Sequence, residues 1–129
     1  LGMVTRYLSG DPFTIQDTNF DVDQNGILFD PLPAGKYSGS GRNPYTVFNK
    51  GGRNGARGPD YFTMDMRAGY RLPVVMARME VFGEIFNLTN RTNFATPSGD
   101  RRSSTFLQLT ALRAGGVPRT GQIGLKVTY

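Results

Sequence analysis

Residues 62–72, FTMDMRAGYRL, alternate without a single break. Phe62, Met64, Met66, Ala68, Tyr70 and Leu72 fall on one side, and Thr63, Asp65, Arg67, Gly69 and Arg71 on the other. A period of two belongs to a β-strand, whose successive side chains point to opposite faces. A half-buried strand of a water-soluble sheet carries the same alternation. Length separates the two cases: ordinary strands run to about 5–6 residues, whereas a strand that crosses a bilayer at a tilt needs about 9–11.

The same period returns at the end of the chain. In PRTGQIGLKVTY, residues 118–129, Ile123, Leu125, Val127 and Tyr129 alternate with Gln122, Gly124, Lys126 and Thr128. An amphipathic last strand ending on an aromatic ring is expected to serve closure, since most domains let their last residues fray. ARMEVFGEIF, residues 77–86, reads in two ways. As a strand it sets Ala77, Met79, Val81, Gly83 and Ile85 against Arg78, Glu80, Phe82, Glu84 and Phe86; as a helix it aligns Val75, Met79, Phe82 and Phe86 in one stripe. MVTRYLSG, residues 3–10, is a further strand candidate.

Between these segments lie residues 11–60 and 87–120, rich in Pro, Gly, Asn and Asp. Connections of that length are uncommon inside compact domains, where about 4–6 residues is typical. The connection between 72 and 77 is very short by contrast. The resulting order is strand, long loop, strand, tight turn, strand, long loop, strand, and short turns on one side with long loops on the other mark outer-membrane barrels.

Composition removes other classes. The 129 residues contain no Cys and no His, so disulfide scaffolds, zinc-thiolate sites and histidine acid–base chemistry are excluded. No run of about 18 apolar residues exists, which rules out a membrane-spanning helix and leaves a barrel untouched, because barrel strands average out to a polar hydropathy. The chain opens on Leu1 without a charged start and apolar core, so no signal peptide is read and a fragment lacking its N-terminal part is expected.

Four motifs resemble the C-terminal end of TonB-dependent outer-membrane receptors, the Oar-like group above all. They are LSGDPFT at 8–14, GPDYFTMDMRAGYRL at 58–72, EVFGEIFNLTNRTNF at 80–94 and PRTGQIGLKVTY at 118–129. They occur in the family's order, and positions 15–57 match loosely. One departure is Gly83-Glu84, where family members more often continue directly to an Asn-Leu-Phe-Asn type turn. The resemblance implies an all-β fold: an antiparallel up-and-down meander of about four C-terminal strands of a transmembrane β-barrel, with two long extracellular loops. It implies residence in the bacterial outer membrane and TonB-dependent import of a scarce ligand, with plug and earlier strands outside residues 1–129. It further implies that Gln122, Gly124, Val127 and Tyr129 form the signal read by the barrel-assembly machinery. Expected partners are outer-membrane lipid, that machinery, TonB through the N-terminal part, and an imported ligand that the sequence does not name. A passive porin, a surface adhesin on a similar barrel, and a soluble all-β binding domain are the alternatives.

Within a barrel, Phe62, Met64, Met66, Tyr70 and Leu72 are expected to face lipid and to be exposed in the isolated segment. Asp65, Arg67, Arg71, Arg78, Glu80, Glu84 and Lys126 are expected to line the lumen. Register follows from charge: one pairing of 62–72 with 77–86 sets Arg71 opposite Glu80, Arg67 opposite Glu84 and Gly69 opposite Phe82. The nearest slip that keeps the faces sets Arg71 against Arg78 and Asp65 against Glu84. Opposite charges and a ring over glycine favour the first. It leaves Val75-Met76 as a two-residue turn, and neither residue welcomes a positive φ.

DVDQNG, residues 21–26, opens like a calcium loop, with Asp21, Asp23 and Asn25 as oxygen donors and Gly26 at the sharp turn. The twelfth position is Leu32 and not Glu, so an EF-hand fails; Asp30 is the late ligand available. An Asx turn without metal explains the same residues. No other cofactor is expected. Residues 38–58 mix Arg42, Lys50, Arg53 and Arg57 with Gly and aromatics, as single-strand nucleic-acid binders do. No folded nucleic-acid motif accompanies them, and a solvated loop is expected in place of a nucleic-acid partner. The sequons at Asn87 and Asn90 are expected to be turn residues. No nucleophile elbow is present and no enzyme activity is expected.

Overall fold

The computed structural model describes every residue except Phe20 and Val22. In chain order the strands are β1 (Gly2–Leu8), β2 (Pro12–Phe13), β3 (Gln16–Asp17), β4 (Asp30–Pro31), β5 (Gly35–Ser38), β6 (Thr46–Asn49), β7 (Ala56–Arg57), β8 (Tyr61–Val74), β9 (Ala77–Phe86) and β10 (Thr120–Thr128). No helix occurs among the described residues, and the β-strand reading of 77–86 is correct. The chain divides into two compact units: Leu1–Leu8, Tyr61–Asn93 and Gly115–Tyr129 form one, and Ser9–Asp60 with Phe94–Ala114 the other.

The first unit is an antiparallel sheet in the order β1-β8-β9-β10. Leu8 pairs with Tyr61, and Phe86 with Thr120, at one end; the Val75-Met76 turn closes β8 onto β9 at the other. Both long connections therefore leave the same end of the sheet. β8 has 14 residues and runs three beyond the periodic stretch, through Tyr61, Pro73 and Val74. β1 stops at Leu8, so Ser9 and Gly10 are not strand. β10 spans Thr120–Thr128 and Tyr129 follows it, fully exposed.

The β8/β9 register is the one that charge favours, with Arg71 opposite Glu80, Arg67 opposite Glu84 and Gly69 opposite Phe82. Val75 and Met76 make the turn without a positive φ at either residue. The turn is thus not one of the mirror-image types that two-residue hairpins favour, and the objection from turn chemistry does not arise.

Beyond Phe86, β9 stops pairing while β8 continues to Tyr61, and side chains take over. Asn93 accepts the Phe62 N–H through Oδ1 at 2.8 Å and donates from Nδ2 to the Phe62 carbonyl at 3.0 Å. Its amide thus reproduces both bonds of an absent strand neighbour. Leu88 N–H donates to the Met64 carbonyl at 2.7 Å and Asn87 N–H to Asp65 Oδ1 at 2.9 Å. Asn87 and Asn93 are both buried, and Asn87 and Asn90 adopt positive φ. Their place in the sequence NLTNRTN is a structural one.

The second unit corrects the expectation of irregular loops. Three short ladders, β2/β7, β3/β4 and β5/β6, surround a small core of Ile15, Leu32, Ala56 and Leu107, against which Phe13, Tyr37, Tyr45, Val47 and Phe106 pack. Buried Asn49 donates to the Leu32 and Pro33 carbonyls and accepts from Gly51 N–H. Arg102 pairs with Asp17 and Arg113 with Asp11, each at 3.1 Å.

Candidate functional site

Register and pleat sort the large sheet into two faces of opposite character. Antiparallel partners share a face. One face carries Met3, Thr5 and Tyr7 of β1, Phe62 to Val74 at even positions of β8, Ala77 to Ile85 at odd positions of β9, and Gly121, Ile123, Leu125 and Val127 of β10. It holds no charged residue. The other face holds every charge of the four strands: Arg6, Asp65, Arg67, Arg71, Arg78, Glu80, Glu84 and Lys126. The residues expected to face lipid and those expected to face a lumen thus lie on opposite faces.

Exposure differs in part from expectation. Tyr70 and Leu72 are exposed, but Phe62, Met64 and Met66 are half-buried. The reason is position: those three sit on a central strand toward the loop end, where β1, β9 and the 87–93 segment press close to β8.

On the charged face the residues form transverse rows. Arg67 pairs with Glu84 at 3.2 Å, and Gln122 Nε2 donates to the same carboxylate. The next row is Gly69, Phe82 and Gly124. The Phe82 ring lies over Gly124, and the Arg67 guanidinium stands 4.7 Å from the ring centroid. Arg71, Glu80 and Lys126 form the third row, and Arg78 follows beside Thr128. Of the three cross-strand ion pairs that the register allows, Arg67–Glu84, Arg71–Glu80 and Lys126–Glu80, only the first forms; Glu80 Oε1 instead lies 3.2 Å from the position that a Cβ on Gly69 would take.

In the second unit, Asp21, Asp23 and Asp30 bring one carboxylate oxygen each to within 4.8 Å of one another. The donor type fits a hard cation such as calcium. The same oxygens also serve the turn: Asp21 accepts from Asn25 N–H at 2.9 Å and Gly26 N–H at 2.7 Å, while Asn25 Oδ1 accepts from Ile27 N–H at 2.8 Å. Desolvation raises the Asp21 pKa, and the N–H groups of Gly26 and Asn25 outweigh it, so the carboxyl is held below its ordinary value. Leu32 belongs to the core and supplies no ligand. In residues 38–58, Tyr45 packs against the core and its hydroxyl donates to the Arg57 carbonyl at 2.8 Å. It is not free to stack on a base.

The family described as an outer membrane beta barrel domain matches residues 1–122. The chain belongs to this family. No curated protein and no solved structure matches it. For an outer-membrane β-barrel of the bacterial envelope, a sheet with one charge-free face and one charged face has an immediate meaning: hydrocarbon tolerates the first and not the second. No helix among the described residues is long and apolar enough to cross a membrane, and the spanning elements of this family are strands. Asn87 and Asn93 were the residues that periodicity could not find. Their signal was the Asn repeat just past a strand end.

Proposed function

We propose that the four-stranded sheet is a wall segment of a transmembrane barrel that imports a scarce ligand in a TonB-dependent manner. Its charge-free face meets lipid, and its charged face meets the lumen. The observation that carries the wall reading is the complete sorting of charge across four strands. Four strands are half of the eight in the smallest membrane barrels, and the outer strands β1 and β10 each present one free edge to be paired before a bilayer can hold them. Further strands must therefore complete the wall. The long connections face the cell exterior in this reading, and Gln122, Gly124, Val127 and Tyr129 serve recognition by the assembly machinery.

The TonB-dependent reading rests on the four motifs, two of which meet in the fold. Gly10 of LSGDPFT and Gly58 of GPDYF pack backbone to backbone, with Gly58 N–H donating to the Asp11 carbonyl at 2.9 Å and Gly10 N–H to Asp60 Oδ1 at 3.0 Å. A Cβ on Gly10 would strike the Gly58 carbonyl. Residues of two of the motifs thus pack against each other where the chain leaves β1 and where it enters β8. We also propose the turn of Asp21, Asp23, Asn25 and Asp30 as a calcium site, on the convergence of its three carboxylates.

Two measurements on the full-length protein in cells test the reading. Cysteines at Glu80 and Lys126 are expected to react with a small polar thiol reagent, and those at Val81 and Leu125 are not; equal reaction at all four refutes the wall. Formaldehyde cross-linking is expected to capture TonB. A barrel that yields no TonB adduct yet lets solutes swell liposomes is a passive porin.

A further inference from the structure

We propose that the charged face carries a binding site for a small oxyanion, a phosphate or carboxylate group, beside the turn end of β8–β10. The inference rests on the reading of this face as the lumenal one.

The charges on that face are unevenly spent. On the loop side of the Phe82 row, Arg6 and Arg67 are matched by Asp65 and Glu84, and Arg67–Glu84 is a formed pair at 3.2 Å. On the turn side, Arg71, Arg78 and Lys126 stand against the single carboxylate of Glu80. Among the described residues none of these three cations forms an ion pair. Glu80 is held over Gly69, as described above, and leaves Arg71 unmatched.

The three cations converge on one concavity. Arg71, Arg78, Glu80, Lys126 and Thr128 of that face, together with Leu72 and Met79 of the opposite face, line an open concavity of about 540 Å³. Arg71 and Lys126 flank Glu80 on neighbouring strands, about 5 Å away on each side, and Arg78 stands two residues along β9, about 7 Å away. Backbones at those spacings leave three long cationic side chains within reach of one tetrahedral or planar oxyanion. Two guanidinium groups offer forked donors to its oxygens and Lys126 adds a point charge. Inside a barrel the low-dielectric wall behind them strengthens the attraction relative to open water.

Isothermal titration of the full-length protein in detergent with inorganic phosphate tests this. Saturable binding is expected, weakening as ionic strength rises because the screening length shortens. R71Q/R78Q/K126Q should weaken it at least tenfold, and R67Q, which removes a cation already paired, should leave it within twofold. Heat-modifiable gel mobility reports whether the triple variant is still a barrel; if it is not, K126Q alone should weaken binding at least threefold. No saturable binding by the wild type, or equal binding by the charge-depleted variants, overturns the site. A cysteine at Lys126 that is reactive to a polar thiol reagent alongside such a result shows that the wall reading stands and the oxyanion site alone fails. A shielded cysteine at 126 with a reactive one at 125 shows that the wall reading has failed.

Discussion

Replacing Gly124 by Ala should destabilise the barrel, although the substitution removes a glycine from a strand. Left to local factors the change stabilises, by about 0.4–1 kcal/mol, because the unfolded chain loses freedom. Here a Cβ would enter the Phe82 ring: its Cε1 and Cε2 atoms lie 2.7 Å from the methyl position, with Cζ nearer still. The ring must swing away and lose the Arg67 guanidinium at 4.7 Å, worth about 0.5–1 kcal/mol at an exposed site. Forced repacking of this kind costs about 1–3 kcal/mol in all, so a net loss of about 1–2 kcal/mol is expected once the local gain is set against it. The assay is urea unfolding of the full-length protein in lipid vesicles, followed by gel mobility. In a Phe82→Ala background G124A should become neutral or stabilising, which gives a coupling energy of about 1–3 kcal/mol. Gly121→Ala is the internal control, since its nearest neighbour, the Glu84 carbonyl, lies at an ordinary 3.6 Å. If G124A stabilises equally with and without the Phe82 ring, the packing argument is wrong.

Met66→Arg places a charge on the charge-free face beside Ile85 and Met3 and should cost about 2–4 kcal/mol near the midplane in the same unfolding assay; a change below a few tenths means that face is wet. Asn93→Ala strands the Phe62 N–H and carbonyl, and at about 1–3 kcal/mol per buried unmade bond should cost about 2–4 kcal/mol, whereas a loss under about 0.5 would show that water replaces the amide. If the Asp21–Asp30 turn holds calcium, chelation should raise protease cleavage within residues 17–30 and leave the heat-modifiable barrel unchanged; identical cleavage with and without chelator counts against the site. Desolvation raises the Asp17 pKa, but the Asn19 N–H and the Arg102 guanidinium prevail and hold it below its ordinary value. Asp17 therefore adds stability above the usual Asp range, about pH 3.9, and loses it as pH falls through the lowered value. Hydrogen exchange around residues 13–19 and 99–103 should accelerate below about pH 4, and less so in D17N.

The sheet was legible because its determinants are local. A period of two states which residues share a face, and Arg67 with Glu84 states the register, since a slip of two places like charges opposite one another. The ambiguity at 77–86 was real, for Met79, Phe82 and Phe86 satisfy a helix as well as a strand. Pairing on both sides decided it: β9 lies between β8 and β10, where a helix would leave β10 without a partner and β8 with β1 alone. What charge could not foretell was where each carboxylate would rest. Glu84 meets Arg67 across the pair, while Glu80 occupies the open space that Gly69 provides.

The second unit was not legible, and the reason lies in how its core is assembled. Ile15, Leu32, Ala56 and Leu107 stand far apart in the sequence, each in a stretch too short or too broken by Pro, Gly and polar residues to show a long periodic apolar face. They meet because backbones cross at glycines. Gly39 lies against the Leu107 and Phe106 carbonyls, Gly99 against the Thr14 carbonyl and Gly10 against that of Gly58, and a Cβ at any of the three would collide with main chain. The abundance of glycine, which reads as loop composition, therefore has a second source: some of these residues are the only ones that allow two segments to approach so closely. A glycine that permits a crossing leaves no trace in hydropathy, but it fixes the shape of what surrounds it. Residues 9–60 and 94–114 accordingly present a surface set by their own core, and a ligand meeting that surface meets a built structure.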